Sequence, residues 1–506
     1  MLRRAISKGN LLLISAGSMV GASWLFSPFI SVKMAGPYAL LAWLIIAVFM
    51  LFIALPLCEL GVIFPMAGGM VNYPHITHGS GFSFLFAWIS WLAYVVCAPI
   101  EVQAVLQYAS HFFPVLVDKQ AGFQLTGTGI STAIVVLFII TLINTFGITV
   151  FIKCNRFIAI FKFIVPILAI IGFFMAAPSW SHHLRWQLPN CQDMHAVFKA
   201  LSLGGVAFAF TGFQNGLLMA GEVQNPVKAL PISLLGAVLV GFLLYSTLQW
   251  SFIVAVPDAA VSSGWSNLHF PGDSGPLVGL ALLLGLGWIA MLLMIDASVS
   301  PLGTTLVYSA ATARILYAMG INNDLPGLVA KLNRFKVPGI ALLINFCVGA
   351  LSFLPFSGWQ NMVAFLSSCS ILSYLIGPIC LLAIRKYQPN LKAGFRLKAA
   401  GFMCFCAFYV AMLMILWCGF AIIWKLAVAI LVGIIMHCWN AKNSNMYWLL
   451  WFSLFFVLLL PIAYCSEIGI IGFPGDLVLI IPVSYILLRF STYVADKDSI
   501  QNLQCD

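Results

Sequence analysis

Long apolar stretches, separated by short polar segments, run along almost the whole chain. A membrane-spanning helix needs about 20 mostly apolar residues, and no polar segment is long enough to form a soluble domain. The pattern predicts fourteen spans, of which the eighth is long enough to project from the membrane. The predicted spans are 11–35, 39–63, 82–110, 129–150, 157–177, 197–221, 231–256, 277–317, 338–355, 360–384, 399–418, 422–439, 446–465 and 476–493, with the largest loops at 178–196 and 257–276.

The composition also indicates a polytopic membrane protein. Apolar residues make up 62% of the 506 positions and charged residues only 8%, whereas soluble domains have about 25% charged residues. So little charge cannot cover a soluble surface, which excludes soluble enzymes, nucleic-acid binders and disordered chains. The 13 cysteines are scattered and the eight histidines show no metal-ligand spacing, so we expect neither a metal nor a cofactor.

The basic residues predict the orientation. Cytoplasmic loops of membrane proteins carry an excess of Lys and Arg, and the chain has 24 of these residues and a net charge of +10. If the N-terminus is cytoplasmic, 18 of the 24 fall in cytoplasmic segments. We therefore predict that both termini are cytoplasmic and that the number of spans is even. The exceptions are Lys33, Lys119, Arg185, Lys199, Lys425 and Lys162, which lies inside the fifth predicted span.

Small residues interrupt the first and sixth predicted spans in mid-membrane. Glycine disfavours a helix by about 1 kcal/mol relative to alanine, and a broken helix in lipid needs partners for its freed backbone groups. Two breaks at corresponding positions of two halves predict an inverted-repeat transporter, whose freed N–H and C=O groups suit a carboxylate and an ammonium. Close packing of helices is the alternative. The residues are Gly17, Ser18, Gly21, Ala22 and Ser23, and then Gly204, Gly205, Gly212 and Gly216.

Two acids lie deep within predicted spans, where a charge costs about 2.5–3.5 kcal/mol or more. Glu101 follows Pro99 in the third span; it is either a proton carrier or substrate-selecting group facing a cavity, or a buried acid with a structural partner. Asp296 in the eighth span shares one face with Ser300, and Thr304 extends that face. This arrangement fits an ion or proton path, and structural pairing is the alternative.

Lys162 is the one basic residue predicted to lie in the middle of a span. Burial disfavours the charged form of a lysine, so this side chain is suited to gaining and losing a proton during a transport cycle. The alternative is a lysine that extends towards the cytoplasm, because the span begins near residue 157, only about 8 Å away at 1.5 Å per residue.

Several segments resemble the amino acid/polyamine/organocation permeases, most closely the bacterial aspartate–proton symporter-like members. The resemblance implies an all-α, leucine-transporter-like fold with helices 1–5 and 6–10 as inverted repeats. Residues 1–384 would form the transport core, and 385–506 the peripheral helices 11–14 and a cytoplasmic tail, in a bacterial inner membrane. The segments are GSMVGASWLFSP (17–28), AGPYALLAWL (35–44), CELGVIFPMAGGMVNYPHITHGS (58–80), FAFTGFQNGLLMAGEVQNPVKALP (208–231), DASVSPLGT (296–304) and TARILYAMGINNDLP (312–326).

The resemblance also implies roles for individual residues. The backbone of the first break would hold the substrate carboxylate, although the family commonly has Gly-Ser-Gly where this chain has Gly-Ala-Ser. The carbonyls of the second break would bind the ammonium, under an aromatic lid. Lys162 would occupy the region that holds sodium in sodium-coupled members, and Glu59 and Glu222 would lie near the inner gate or pair with a loop arginine. The implied substrate-binding residues are Ser18, Gly21, Ala22, Ser23, Phe208, Phe210, Thr211 and Gly212.

Together these features predict a secondary active transporter whose partners are an amino acid, protons and the lipid bilayer, and which does not bind nucleic acid. Proton-coupled symport is the favoured mode and amino-acid exchange the alternative, in a monomer or homodimer. A membrane-embedded enzyme would need a catalytic constellation and an ATP-driven pump a Gly-rich phosphate loop; the sequence has neither. A channel would not need paired helix breaks. The substrate stays open, because aspartate would call for a second mid-span cation beside Lys162.

Overall fold

A computed structural model describes residues 6–66, 68–118, 120–121, 123–146, 148–177, 189–270, 275–354, 359–391, 393–440 and 447–503. Within these ranges the side chains at 148–157, 159–160, 222, 360–361 and 439–440 are outside the description. The described chain is mostly helical, with one short antiparallel strand pair, β1 (Val117–Asp118) and β2 (Gln124–Leu125).

The helices follow the predicted order of spans. They are α1 (Lys8–Met19), α2 (Ser23–Ala35), α3 (Ala39–Ile63), α4 (Asn72–His78), α5 (Ser80–Ala109), α6 (Gly127–Thr145), α7 (Ile148–Ala176), α8 (Cys191–Leu203), α9 (Val206–Ala209), α10 (Asn215–Leu218), α11 (Pro226–Ala255), α12 (Pro276–Leu283), α13 (Gly287–Ile321), α14 (Gly339–Leu351), α15 (Trp359–Tyr374), α16 (Ile376–Tyr387), α17 (Ala400–Leu416), α18 (Phe420–Asn440), α19 (Tyr447–Glu467), α20 (Gly475–Val494) and α21 (Lys497–Gln501).

Their length and apolar surface make this a multi-pass membrane protein. In the described part of the chain, nine helical segments are long and apolar enough to cross a membrane, and three shorter apolar helices accompany them. Large apolar side chains such as Met175, Met291 and Val457 are 83%, 66% and 65% exposed. In water that surface would be unfavourable, but lipid tails solvate it. The count of fourteen spans stays a prediction.

Helix α5 lies at the centre of the molecule. Of the 18 most apolar consecutive residues of α5, 89% are buried inside the protein, compared with 28% of the corresponding residues of α6 and of α19. Helices α13 and α15 both pack against it. A helix enclosed by other helices can carry polar side chains that lipid would exclude, and the acid Glu101 lies on this helix.

Several boundaries differ from the sequence prediction, and two of the differences have a clear local cause. Helix α8 begins at Cys191, within the predicted loop 178–196, where Asn190 and Asp193 form a capping box that satisfies the first amides. The eighth predicted span is two helices, because the chain turns at Gly285, whose φ of +73° favours glycine. Helix α13 is still 35 residues long, about 52 Å at 1.5 Å per residue, so it extends beyond a hydrocarbon core of about 30 Å.

Both ends of the described chain lie on one side of the protein, which we call the terminal side. Near the N-terminus, Ile6 forms a bridge with Val223, which follows α10. Near the C-terminus, the Asp496 N–H donates a hydrogen bond of 2.9 Å to the Thr77 carbonyl of α4. That this side is cytoplasmic stays a prediction from the charge distribution.

Candidate substrate and coupling site

The first predicted span breaks between α1 and α2. Helix α1 ends at Met19 and α2 begins at Ser23, with Ala22 at its N-cap position. The break leaves the carbonyls at the end of α1 and the amides at the start of α2 without helical partners. One carbonyl, that of Met19, accepts a hydrogen bond of 3.0 Å from the Tyr245 hydroxyl of α11.

The sixth predicted span is broken over a longer stretch and lies against the first break. Gly205 and Gly212, with φ values of +76° and +110°, interrupt it on either side of α9. A Cβ atom at Gly212 would lie 2.7 Å from the Ser18 carbonyl oxygen, which is closer than a side chain tolerates. Glycine therefore allows the backbones of the two breaks to come into contact.

A Gly212→Ala variant tests this close approach. We expect a lower unfolding temperature in detergent and at least about a ten-fold loss of uptake, because the strained φ alone costs about 1–3 kcal/mol and the new methyl group meets backbone rather than a movable side chain. Gly17→Ala is the matched control, since a Cβ there has no neighbour within 4 Å. Equal stability and uptake of the two variants would contradict the proposed contact.

The Glu101 carboxylate occupies the first break. Its Oε2 accepts a hydrogen bond of 2.8 Å from the Ala22 N–H, and its Oε1 lies against Gly21, where a Cβ atom would collide with it. The side chain is only 1% exposed. A carboxylate at the start of α2 is stabilised by the free amide and by the helix dipole. The protein's own acid thus holds one of the amides predicted to bind the substrate carboxylate.

Lys162 points into the protein and joins three helices. Its Nζ donates hydrogen bonds to the Gly17 carbonyl of α1, at 3.2 Å, and to the Thr304 hydroxyl of α13, at 2.6 Å. The side chain is 2% exposed, so it does not extend towards the terminal side. A cation suits the carbonyl end of α1, where the helix dipole is negative. Both Glu101 and Asp296 are near enough to interact electrostatically with the ammonium.

Asp296 continues this cluster along α13. Its Oδ1 accepts a hydrogen bond of 2.7 Å from the Ser300 hydroxyl, and Thr304 donates to the Ser300 carbonyl at 3.1 Å. The shared face predicted for these residues therefore leads to Lys162. The Asp296 Oδ2 is buried and has no hydrogen-bond partner in the part of the chain that the structure describes.

Aromatic rings cover the breaks on the side opposite the termini. Phe208 lies 6.0 Å from Trp359 between ring centroids, and Phe26 lies 4.8 Å from Trp359 and 5.3 Å from Tyr108. That Phe208 forms a lid over the substrate stays a prediction from the resemblance. Its carbonyl accepts hydrogen bonds from both the amide and the hydroxyl of Thr211, which holds the second break in shape.

The side chains of the remaining predicted residues pack or form hydrogen bonds within the protein. The Phe210 ring packs against Tyr245 and Trp43, with centroids 5.9 and 6.3 Å away. The Ser18 hydroxyl donates to the Ile14 carbonyl within its own helix. Ser23 is buried at the start of α2. That these residues bind substrate stays a prediction.

Three polar residues near the breaks were not singled out from the sequence. The Tyr94 hydroxyl of α5 donates to the Asn215 side-chain carbonyl and accepts from the Gln214 amide at 3.2 Å. Gln214 also accepts the Gly212 N–H at 2.9 Å. The signal was present in the segment FTGFQNG (210–216), where two amide side chains interrupt an apolar span. These contacts fix the terminal-side end of the second break to α5.

Of the two acids placed near the inner gate, Glu59 has a structural partner. Its Oε1 lies 2.5 Å from the Arg385 Nη2 of α16, and its Oε2 accepts the Leu397 N–H at 2.9 Å. The alternative of pairing with an arginine is therefore observed. The Glu222 side chain lies outside the described residues. Among those that are described, no three His, Cys, Asp or Glu residues cluster in a way that could hold a metal ion.

Comparison with known proteins identifies the family. The chain matches the family model described as amino acid permease over residues 9–460. This chain belongs to the amino acid permease family. The permease is 32% identical over 502 residues to the glutamate/serine transporter AimA of Bacillus subtilis (strain 168), a match that covers 96% of this chain and 93% of the relative. The aspartate-proton symporter of the same organism is 31% identical over 508 residues, covering 97% and 96%.

A more distant relative is the branched-chain amino acid permease BcaP of Bacillus subtilis (strain 168), 24% identical over 459 residues that cover 88% of the permease and 95% of the relative. These matches confirm the resemblance drawn from the sequence segments. The family and these relatives are transporters, so the permease is an amino-acid transport protein and not an enzyme.

Proposed function

We propose that this permease is a proton-coupled amino-acid symporter that works by alternating access, with the terminal side in the cytoplasm. Residues 1–384 would form the transport core, as two inverted repeats of five spans, and 385–506 the periphery. Two helix breaks in contact with each other support this proposal, because freed backbone groups in mid-membrane provide a site for both charged ends of an amino acid. Two relatives that match almost the whole chain are named as a glutamate/serine transporter and an aspartate-proton symporter.

The proposal of proton coupling rests on the position of the Glu101 carboxylate in the first break. Glu101 accepts the Ala22 N–H, a group that a substrate carboxylate would also need. Ionised Glu101 would compete for this amide and repel the incoming carboxylate. Protonation of Glu101 removes its charge and weakens its hydrogen bond with the Ala22 N–H. Proton uptake and substrate binding would therefore favour one another.

Lys162 supplies the second part of the coupling. Its ammonium binds the end of α1 to α13 through Gly17 and Thr304. An ammonium that loses its proton becomes a weaker donor and no longer balances Glu101. We propose that loss of this proton loosens α1 from α13 and so favours opening towards the terminal side.

Substrate and coupling are tested together by uptake into proteoliposomes. The purified permease should accumulate radiolabelled glutamate, aspartate or serine when an inward proton gradient is imposed, and a protonophore should abolish the accumulation. Competition by a panel of unlabelled amino acids ranks the substrates. An absence of proton-driven accumulation for every amino acid tested would contradict the symport proposal.

Amino-acid exchange is the second candidate function, and it would use the same two helix breaks. An exchanger would take up labelled amino acid only into liposomes loaded with unlabelled amino acid, with no effect of the protonophore. A symporter would also fill empty liposomes. The two loading conditions, measured side by side on one preparation, therefore separate the two modes.

A further inference from the structure

The C-terminal end of the described chain is docked onto the protein. Helix α21 begins after Asp496, whose carboxylate accepts hydrogen bonds from the Ser499 N–H at 3.2 Å and the Ser499 hydroxyl at 2.7 Å. Ile500 is fully buried and packs with Ala383 of α16 and with Ala495. We call residues 495–503 the tail segment.

Hydrogen bonds hold the tail segment between two other elements of the terminal side. The Gln388 side-chain amide, just after α16, donates to the Gln501 carbonyl at 2.9 Å. The Asp496 N–H donates to the Thr77 carbonyl of α4 at 2.9 Å. The tail segment therefore connects the end of α16 to the chain that links α3 and α5, whose described residues 64–66 and 68–79 we call the connector.

His78 at the end of α4 secures the connector to the end of α20. Burial lowers the pKa of His78 to about 4, so the ring is neutral near pH 7. Its Nε2 faces the Ser491 carbonyl at 3.2 Å and must donate to it, which leaves Nδ1 to accept from the Thr77 hydroxyl at 2.7 Å. The ring also stacks on Phe82, 4.5 Å away between centroids.

The connector also contacts α10, the terminal-side part of the broken sixth span. The Gly68 N–H donates to the Leu218 carbonyl of α10 at 3.1 Å. A Cβ atom at Gly69 would lie 2.6 Å from the Leu217 carbonyl oxygen, so the two backbones touch. A continuous set of contacts thus runs from the tail segment through α4 to α10, beside the second break.

We propose that the tail segment is a latch that keeps the terminal side closed by immobilising the connector and, through it, α10. Because α10 continues from the second break towards the terminal side, a path from the breaks to that side requires α10 to move. Release of the tail segment frees the connector and permits this movement. The proposal rests on the site lying at the breaks, but not on proton coupling or on the identity of the substrate.

An Ile500→Asp variant tests the latch, because a carboxylate at a fully buried position opposes docking. The measured quantity is the rate at which a maleimide labels a cysteine introduced at half-buried Leu218, in detergent and without substrate; the background from native cysteines is subtracted. We expect Ile500→Asp to raise this rate about ten-fold, as a shift of the open population by that factor requires. The matched control is Asn502→Asp, which adds the same charge at an exposed position and should leave the rate unchanged.

A second measurement keeps the tail segment docked instead of releasing it. Cysteines in place of Gln388 and Gln501, joined by a short bifunctional reagent that reducing agent can cleave, should block uptake, and cleavage should restore it. Crosslinked permease that transports like the cleaved form, or a folded Ile500→Asp variant labelled at the control rate, would overturn the latch. Neither result would affect the transport proposal, because uptake itself would be intact.

Discussion

Replacing Glu101 by glutamine is expected to abolish proton-driven accumulation of substrate while leaving exchange across the membrane nearly intact. Glutamine keeps the shape of the side chain and an oxygen that accepts the Ala22 N–H, but it cannot bind and release a proton at neutral pH. We expect accumulation to fall about 100-fold or more, which is at least about 2.8 kcal/mol at about 1.4 kcal/mol per factor of ten, because the proton gradient then has no titratable group at position 101 through which to drive uptake. Exchange, which moves no net proton, should fall less than about three-fold.

Two further variants distinguish coupling from a structural role of Glu101. Glu101→Asp retains a titratable group on a shorter side chain and should restore part of the accumulation. Cys97→Ser changes a buried residue one helical turn away on the same face of α5 and should accumulate substrate at close to the normal level. If glutamine at position 101 reduced exchange as strongly as accumulation, the acid would be structural and the competition mechanism wrong.

Replacing Lys162 is the second change with a large expected effect. Lys162→Gln keeps a donor for the Gly17 carbonyl or the Thr304 hydroxyl but removes the titratable charge and leaves Glu101 without it. We expect proton-driven accumulation in proteoliposomes to fall about 100-fold or more, because removing one partner of a buried charge pair costs about 3–5 kcal/mol and each factor of ten corresponds to about 1.4 kcal/mol.

Arginine at the same position separates the need for a charge from the need to lose a proton. A guanidinium stays charged at every accessible pH, so Lys162→Arg should also fail to accumulate substrate even though the charge balance is kept. Lys199→Gln is the matched control, since Lys199 is an exposed lysine on α8, and it should transport normally. Full proton-driven accumulation by Lys162→Arg would show that deprotonation of this residue is not part of the cycle.

The order of helices was predictable because apolar length is a local property. Both breaks were found from clustered small residues, and the structure has them at Gly21 and around Gly205 and Gly212. The division of the eighth span at Gly285 was missed because a single glycine in an apolar run does not distinguish a turn from a helix. The early start of α8 was missed because its first turn is polar and its signal is the Asn190 capping box rather than apolar length.

The composition of the site was predictable, but its connections were not. An acid and a base in mid-span stand out in any chain with 8% charged residues. That Glu101 caps α2 at Ala22, 79 residues away, depends on how α5 packs against the first break. The choice between an inward and an outward Lys162 likewise depends on Thr304, which only the packing of α13 brings within hydrogen-bond distance.

The sequence alone determined that this protein crosses a membrane, which helices are broken and which few charges lie inside, because those features follow from hydrophobic length and from the cost of burying charge. Only the tertiary structure decided what each charge touches. Glu101 occupies a backbone site predicted for the substrate, Glu59 pairs with Arg385, and the tail segment reaches the connector. These contacts join residues far apart in the chain, and the distances between them are set by helix packing rather than by local pattern.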